Sequence, residues 1–179
     1  MNIFYVESNP IAAAKSLCDK HVVKMILESA QILSTAHRVL DGSEYFAQGK
    51  KRRVRRYLLP DSRDHLLYAA THVNHPSTVW ARQSHAHYMW LHLHFFGLTN
   101  EYTRRYGKVH KCTDMILLLG QSPKYIRNMG FTDPPCAMPD EYIVPGSAIA
   151  SYRNYYNGAK KHLHSWKNAP TPDWIIQDI

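Results

Sequence analysis

The stretch from residue 8 to residue 40 constrains the fold most, because after Pro10 it has no glycine and no proline until Gly42. Proline is favoured at the first position of a helix, and Ser8 or Asn9 is available as the N-cap. The pattern therefore predicts one helix of roughly thirty residues. Its apolar residues fall on three faces, which indicates a central helix enclosed by neighbours. The three faces hold Leu17, Met25 and Ile32; Val22, Ile26, Leu33 and Leu40; and Val23, Leu27 and Ala30.

Three ionisable residues lie on this helix among apolar neighbours. His21 and Glu28 are seven residues apart, about two turns, so their side chains project from one face, and Lys24 borders that face. Charges are rarely buried without partners, because desolvation is costly. One interpretation is a His–Glu or Lys–Glu pair between helices, in which the two side chains only satisfy each other and have no other role. We prefer the other, a site at the mouth of the helical core where burial tunes His21 and Glu28 for proton transfer.

Length and charge limit the classes of function. The chain has 179 residues, with 22 Lys and Arg against 14 Asp and Glu, for a formal net charge of +8. This balance favours a polyanionic partner, DNA first and an anionic membrane surface second, over a basic surface without a partner. The three cysteines form no CxxC pair, which is typical of reduced thiols. With no membrane span and no signal-peptide pattern, we expect a soluble, cytoplasmic, single-domain protein.

A cluster of positive charge follows the long helix. Six of the seven residues from 50 to 56 are Lys or Arg. Like charges so close repel one another, so we predict a mobile loop over residues 41–60. This loop is either a solvated segment or, as we prefer, an arm that contacts DNA phosphates. Its basic residues are Lys50, Lys51, Arg52, Arg53, Arg55 and Arg56.

A histidine-rich turn precedes the next predicted helix. The sequence THVNHP at residues 71–76 offers Asn74 or His75 as the N-cap of a helix that begins at the proline and carries Arg82. His72 and the two cap candidates would converge on the helix N-terminus, where backbone N–H groups favour anions. The turn is therefore either a substrate or anion pocket, or a capped turn with exposed histidines.

A second long helix is predicted over residues 84–106, ending at Gly107 and carrying Arg105. Its two H-x-H pairs are not typical of a metal site, because that spacing places the side chains about 200° apart on a helix. We predict neither a metal nor a cofactor. Short helices are expected over residues 64–71 and 115–119.

The C-terminal part is predicted to be irregular except for one helix. Residues 123–146 form a surface excursion rich in proline, glycine and polar groups, and residues 168–179 an irregular strap. In the helix predicted over residues 147–167, basic residues lie among aromatic ones, which suits contact with phosphates and bases. Its candidate DNA contacts are Arg153, Tyr155, Lys160 and Lys161. The predicted fold is mostly α: a single compact helical domain over residues 1–179, built around the long N-terminal helix, with long irregular loops.

Several motifs together resemble the pyrimidine-dimer DNA glycosylases of the phage endonuclease V type. The LCDKH segment at residues 17–21, followed by Glu28, is similar to that family's helix with a His seven residues before its catalytic Glu. The HP pair at residues 75–76 and the stretch from Glu101 to Gly107 resemble the family's HP and E…RGY segments. Residues 152–158 resemble its aromatic and basic C-terminal region. The whole chain also resembles a group of uncharacterised phage proteins that share the NIFY, CDKHVVKM, THxNHP, AMPDEY and YRNYY motifs.

This resemblance implies a DNA glycosylase with abasic-site lyase activity as a further expectation. An amine would attack the sugar C1′, and Glu28 would stabilise the cationic intermediate while His21 orients the carboxylate or the sugar. The family uses the α-amino group exposed after methionine removal. Here the bulky second residue favours retention of Met1, so the amine would be that of Met1 or of Lys24. The substrate pocket would be lined by Asn2, Gln31, His72, Asn74 and His75.

Two other functions stay open at this point. An enzyme that modifies or trims phage DNA bases would use the same scaffold without an amine, and a non-enzymatic DNA-binding protein would need only the basic surface. A metal-dependent nuclease is less favoured, because the sequence has no carboxylate-rich metal cluster. We expect DNA as the partner, no membrane and no obligate protein partner, and the host cytoplasm if a phage encodes the chain.

Overall fold

The computed structural model describes residues 1–49 and 52–176, and it confirms a mostly α-helical fold. The helices are α1 (Pro10–Ser16), α2 (Asp19–Asp41), α3 (Arg63–Leu66), α4 (Pro76–Gln83), α5 (His85–Tyr106), α6 (Ile116–Leu119) and α7 (Ala148–Asn157). The strands are β1 (Ser43–Gln48) and β2 (Arg53–Leu58), and short 3₁₀ turns cover Lys111–Met115, Asp140–Tyr142 and Lys161–Leu163. Across these described ranges, no helix has the length and hydropathy needed to cross a membrane.

The single long N-terminal helix was wrongly predicted: two helices meet at a break. Leu17 and Cys18 adopt extended conformations between α1 and α2. The Cys18 N–H donates to the Tyr156 hydroxyl at 3.0 Å. The buried guanidinium of Arg105 donates to the carbonyl oxygens of Leu17 and Lys15, both at 2.9 Å. Hydrogen bonds from distant parts of the chain thus satisfy the backbone groups that the break leaves free.

The core is formed where α1, α2, α4 and α5 pack together. α1 approaches α5 closely at Gly97, where a Cβ would lie 2.8 Å from the Cβ of Ala14. The sequence predicted that neighbours enclose this helix on every side, which is wrong for α2, because Val23 and Leu27 are 39% and 40% exposed. The open strip of α2 flanks Glu28, so this residue lies at the edge of the core.

Local signals predicted the bounds of α4 and α5 well. α4 begins at Pro76 with His75 as its N-cap, and α5 ends at Gly107, which adopts a left-handed φ of 65°. The shorter helices are less extensive than predicted. α3 covers one turn of the segment over residues 64–71, and α6 begins only after a 3₁₀ turn.

The basic segment forms a β-hairpin, which corrects the loop predicted over residues 41–60. β1 and β2 pair antiparallel. Both strands are largely exposed, so their arginines project into water and repulsion does not prevent pairing. Arg55 also forms an ion pair with Glu44 at 3.4 Å. The predicted phosphate contacts at Lys50 and Lys51 lie outside the described residues.

The C-terminal part contains less helix than predicted. α7 ends at Asn157 and does not continue to residue 167, because Gly158 adopts a non-helical conformation with a ψ of −97°. The ring of Tyr142 packs against Gly158, where a Cβ would collide with it. Residues 123–146 contain only a 3₁₀ turn. The strap is irregular over residues 168–176, where Trp174 contacts the core, while residues 177–179 lie outside the described part.

Candidate active site

Glu28 is the centre of a cluster formed by α2, the N-terminal segment and the turn before α4. Its side chain is 16% exposed, and Lys24, one turn earlier, places Nζ 3.3 Å from Oε1. The backbone N–H of Asn2 donates to Oε2 at 3.2 Å. The carboxylate is therefore held between an ammonium group and a peptide N–H at the beginning of the chain.

The Asn2 side chain fixes the path of the N-terminal segment. Its Oδ1 accepts hydrogen bonds from the N–H groups of Ile3 at 2.7 Å and Phe4 at 3.1 Å, and its Nδ2 donates to the carbonyl of Ala137 at 2.9 Å. Phe4 has a φ of 55°, a conformation that costs a bulky residue on the order of 1–3 kcal/mol. Its buried ring stacks on His21 with the ring centroids 4.2 Å apart. Side-chain packing therefore holds a strained backbone that directs Asn2 onto the carboxylate.

The imidazole of His75 lies within electrostatic reach of both the Met1 α-amino group and the Glu28 carboxylate. His75 Nδ1 accepts a hydrogen bond from the Ser77 N–H at 3.2 Å, so Nε2 carries the proton of the neutral ring. Burial lowers the pKa of His75, and the positive charges of the Met1 amino group and His72 lower it further. The negative charge of Glu28 opposes this shift. An amine, an imidazole and a carboxylate are thus brought together at one edge of the core.

His21 lies in the core beneath this cluster and not within it. Its Nδ1 is 2.7 Å from the hydroxyl of Tyr156. Burial, followed by the positive charge of Lys160, lowers the pKa of His21 to about 3, so the ring is neutral at physiological pH. Seven residues place His21 and Glu28 on one face of a helix but about 10 Å apart along its axis. The structure does not bring the two side chains together, and the predicted role of His21 in orienting Glu28 is not supported.

The other predicted pocket residues lie around the turn before α4. His72 and Asn74 are exposed, and His72 has a φ of 48°. The N–H of Thr71 donates to Thr35 Oγ1 at 3.1 Å, and that hydroxyl donates to the backbone carbonyl of Gln31 at 2.7 Å. These bonds attach the histidine turn to α2 at Thr35, about two turns beyond the carboxylate, and Gln31, which lies between Glu28 and Thr35 on the helix, is half-buried.

Two arginines predicted to contact DNA have structural partners. Arg105 is a core residue: its side chain is fully buried, 3.0 Å from Asp19 and 3.1 Å from Glu101. The prediction that Arg105 contacts DNA is therefore corrected. Arg153 is half-exposed, and its Nη2 donates to Glu7 at 2.6 Å.

The remaining predicted DNA contacts lie on accessible surfaces. Lys160 places Nζ 4.7 Å from the centroid of the Tyr155 ring, a basic–aromatic pair of the predicted kind. Lys161 is exposed, and Arg82 is half-buried at the last turn of α4. The exposed arginines of the hairpin are Arg52, Arg53, Arg55 and Arg56.

Two contributors to the cluster were not predicted from the sequence. The positive φ of Phe4 has no signature in a short apolar segment, because it depends on packing against α2. The contribution of the Ala137 carbonyl could not be predicted because a backbone acceptor does not depend on the residue type. Ala137 is the first residue of the AMPDEY motif. Among the described residues, no three His, Cys, Asp or Glu side chains group closely enough to hold a metal ion.

Comparison with known protein families gives a match. Residues 1–114 match a family model described as pyrimidine dimer DNA glycosylase. The match covers α1 to α5, the hairpin and every residue of the Glu28 cluster other than Ala137. The aromatic and basic stretch at residues 152–158 lies beyond it. No curated protein and no solved structure matches the chain.

Proposed function

The chain belongs to the pyrimidine dimer DNA glycosylase family, and from this premise we propose that it releases damaged pyrimidine bases from DNA at the Glu28 cluster. The hydrogen bond from the Asn2 N–H to Glu28 is the observation that carries the proposal, because it holds the N-terminus of the chain on a carboxylate. The formal net charge of +8 supports DNA as the partner.

Base release would begin with the neutral α-amine of Met1. Its nitrogen forms a bond to C1′ as the bond from C1′ to the base breaks, and the base leaves with that electron pair and takes up a proton. The Nε2–H of His75 is the candidate donor of this proton. Glu28 stabilises the positive charge that develops at C1′ and accepts the proton that the amine loses. The ring oxygen O4′ then takes up that proton as the C1′–O4′ bond opens and an iminium forms.

The same residues would support cleavage at the abasic site. Glu28, now deprotonated, removes a proton from C2′, and the electron pair moves to break the C3′–O3′ bond and release the phosphate. The target nucleotide must leave the base stack for C1′ to reach the amine. Lys24 is the alternative amine, since its Nζ lies 3.3 Å from the carboxylate. If Met1 is removed, the Asn2 nitrogen, 3.2 Å from Glu28, becomes the α-amine itself.

Substitution of Glu28 tests the carboxylate directly. We expect Glu28→Gln to lower base release from ultraviolet-irradiated duplex DNA at least about a hundredfold, with little change in DNA affinity, because a general acid–base group is lost without loss of a phosphate contact. The matched control is Glu141→Gln, which removes an exposed glutamate outside the cluster and should leave the rate unchanged. An unaltered rate in Glu28→Gln would make this residue structural.

Borohydride trapping identifies the amine. We expect a covalent adduct between the wild-type protein and an abasic-site duplex, and mass spectrometry of the trapped peptide should locate it at the N-terminus. Lys24→Arg should still form the adduct if the α-amine reacts, and should not if Lys24 does. Base release without any adduct would instead support a monofunctional enzyme that needs no amine.

A further inference from the structure

Arg82 differs from the other buried and half-buried arginines because no acid in the part of the chain that the structure describes forms a salt bridge with it. Arg38, Arg63, Arg105 and Arg153 form salt bridges of 2.7, 2.6, 3.0 and 2.6 Å. The side chain of Arg82 forms no salt bridge or hydrogen bond with any described residue, and its Nη1 is buried without a partner. A guanidinium buried without a counter-charge is destabilising. An anion from outside the chain would remove this penalty.

Arg82 lies in a cavity that has the properties of an anion subsite. The cavity measures about 330 Å³, within the usual range for ligand pockets. Arg127 is a second arginine in its lining, and Tyr125, whose side chain is exposed, lines it as well. Leu40 and Met129 form apolar walls. Two guanidinium groups at one cavity favour a phosphate, which each can bind through paired N–H donors.

The outer face of α4 connects this cavity to the region of the active site. A second cavity of about 410 Å³ shares Val79 and Gln83 with the first and extends to Pro76 at the beginning of the helix. The two cavities therefore lie next to each other along α4. One lies at Pro76, directly after the histidine turn, and the other at the two arginines.

The distance from the active site to the cavity gives the position of the anion relative to the target base. α4 begins beside His75 and carries Arg82 at its end, about 10 Å away along the helix axis. Leu40, which also lines the cavity, follows Glu28 on α2 by twelve residues, or about 18 Å. One strand of duplex DNA has a phosphate about every 3.4 Å along its axis. The cavity thus lies about three to five nucleotides from a base at Glu28.

We propose that Arg82 and Arg127 bind one phosphodiester of the substrate strand, about three to five nucleotides from the target base. The identity of the anion rests on the proposed function, whereas the need for an anion rests on the unpaired guanidinium. The site would hold the strand in register along α4 while Glu28 acts on the extruded nucleotide.

The test is the salt dependence of binding to an undamaged duplex, which requires no base release. We expect Arg82→Gln and Arg127→Gln each to reduce the slope of log K against log salt concentration by about 1, as for the loss of one phosphate contact. Arg82→Lys should keep most of the slope because it keeps the charge. The matched control, Lys108→Gln, removes the same charge at the far end of α5, about 30 Å away, and should leave the slope unchanged.

Thermal unfolding separates a ligand site from a structural role. Arg82→Gln should unfold at the same temperature as the wild type or higher, because it removes a half-buried charge that has no partner among the described residues. Unchanged slopes in both Arg82→Gln and Arg127→Gln would overturn the proposal, as would an equal loss in Lys108→Gln. Stabilisation of the wild type by inorganic phosphate with no change in the DNA slope would assign the cavity to a free anion and also overturn it. Reduced slopes together with absent base release would support this site and contradict the proposed chemistry.

Discussion

His21 supports the candidate site through its packing on Phe4. The His21 ring stacks on Phe4, the strained residue that follows Asn2 and Ile3. The Tyr156 hydroxyl holds the imidazole through a hydrogen bond. A neutral, hydrogen-bonded ring in this position orients the N-terminal segment without exchanging protons with the substrate. We therefore expect His21 to be a positioning residue, whose contribution is visible in stability and not in chemistry.

We expect His21→Phe to lower the free energy of unfolding by about 1–3 kcal/mol, because the ring stays on Phe4 while the Tyr156 hydroxyl loses a buried partner. Base release per folded molecule, and its pH profile, should not change. His75→Gln is the comparison, since it removes an imidazole from the cluster and should alter the pH profile. A drop of about a hundredfold in His21→Phe, with its folding intact, would return His21 to the catalytic machinery.

The sequence located Glu28 correctly on α2, at the edge of the core, with Lys24 beside it. It did not show that His21 lies apart from the carboxylate. A seven-residue spacing shows which side chains share a face, and it says nothing about whether they reach one another along the axis. Asn2 and His75 come from the N-terminal segment and the histidine turn, which approach α2 only in the folded chain. The family resemblance, and no local pattern, indicated that these two residues belong to the pocket.

At the level of the elements, Arg105 joins the break between α1 and α2 to α5. Its guanidinium satisfies two free carbonyls at the break and pairs with Glu101 and Asp19. We expect Arg105→Met to lower the free energy of unfolding by about 3–5 kcal/mol, because buried carboxylates and carbonyls lose their partner. Urea unfolding followed by circular dichroism measures this loss.

Arg104→Met is the control, because Arg104 contacts the same Glu101 from a half-exposed position. It should cost less than about 1 kcal/mol. Equal losses in the two variants would mean that the break does not depend on the buried guanidinium.

The helix ends that could be predicted are those marked in the sequence by a proline or a glycine. Pro76 and Gly107 mark the beginning of α4 and the end of α5, and both positions were confirmed. The break at Leu17 has no such signal, because hydrogen bonds from residues more than eighty positions away produce it. The hairpin could not be predicted because of its positive charge. Repulsion between like charges argues against a packed segment, but a strand pair that is exposed on both faces does not need to bury its arginines.

At the scale of the whole molecule, buried neutral histidines connect stability to pH. Burial lowers the pKa of His21 and His94 to about 3 and that of His37 to about 4. In the unfolded chain these groups take up protons below about pH 6.5, while the native state excludes them. The native state is therefore at full stability above pH 6.5 with respect to these groups, and it loses stability as the pH falls towards 4.

We expect each of the three histidines to remove about 1.4 kcal/mol per pH unit within this window, which urea unfolding at pH 7, 6, 5 and 4 can measure. His94→Phe should remove about 1.4 kcal/mol per pH unit from this dependence, since the His94 ring stacks on Trp90 and neither of its nitrogens has a partner among the described residues. His65→Gln, at an exposed position, should leave it unchanged. A stability that does not vary between pH 7 and 4 would mean that the native state accepts these protons, and that the three buried rings are accessible to water.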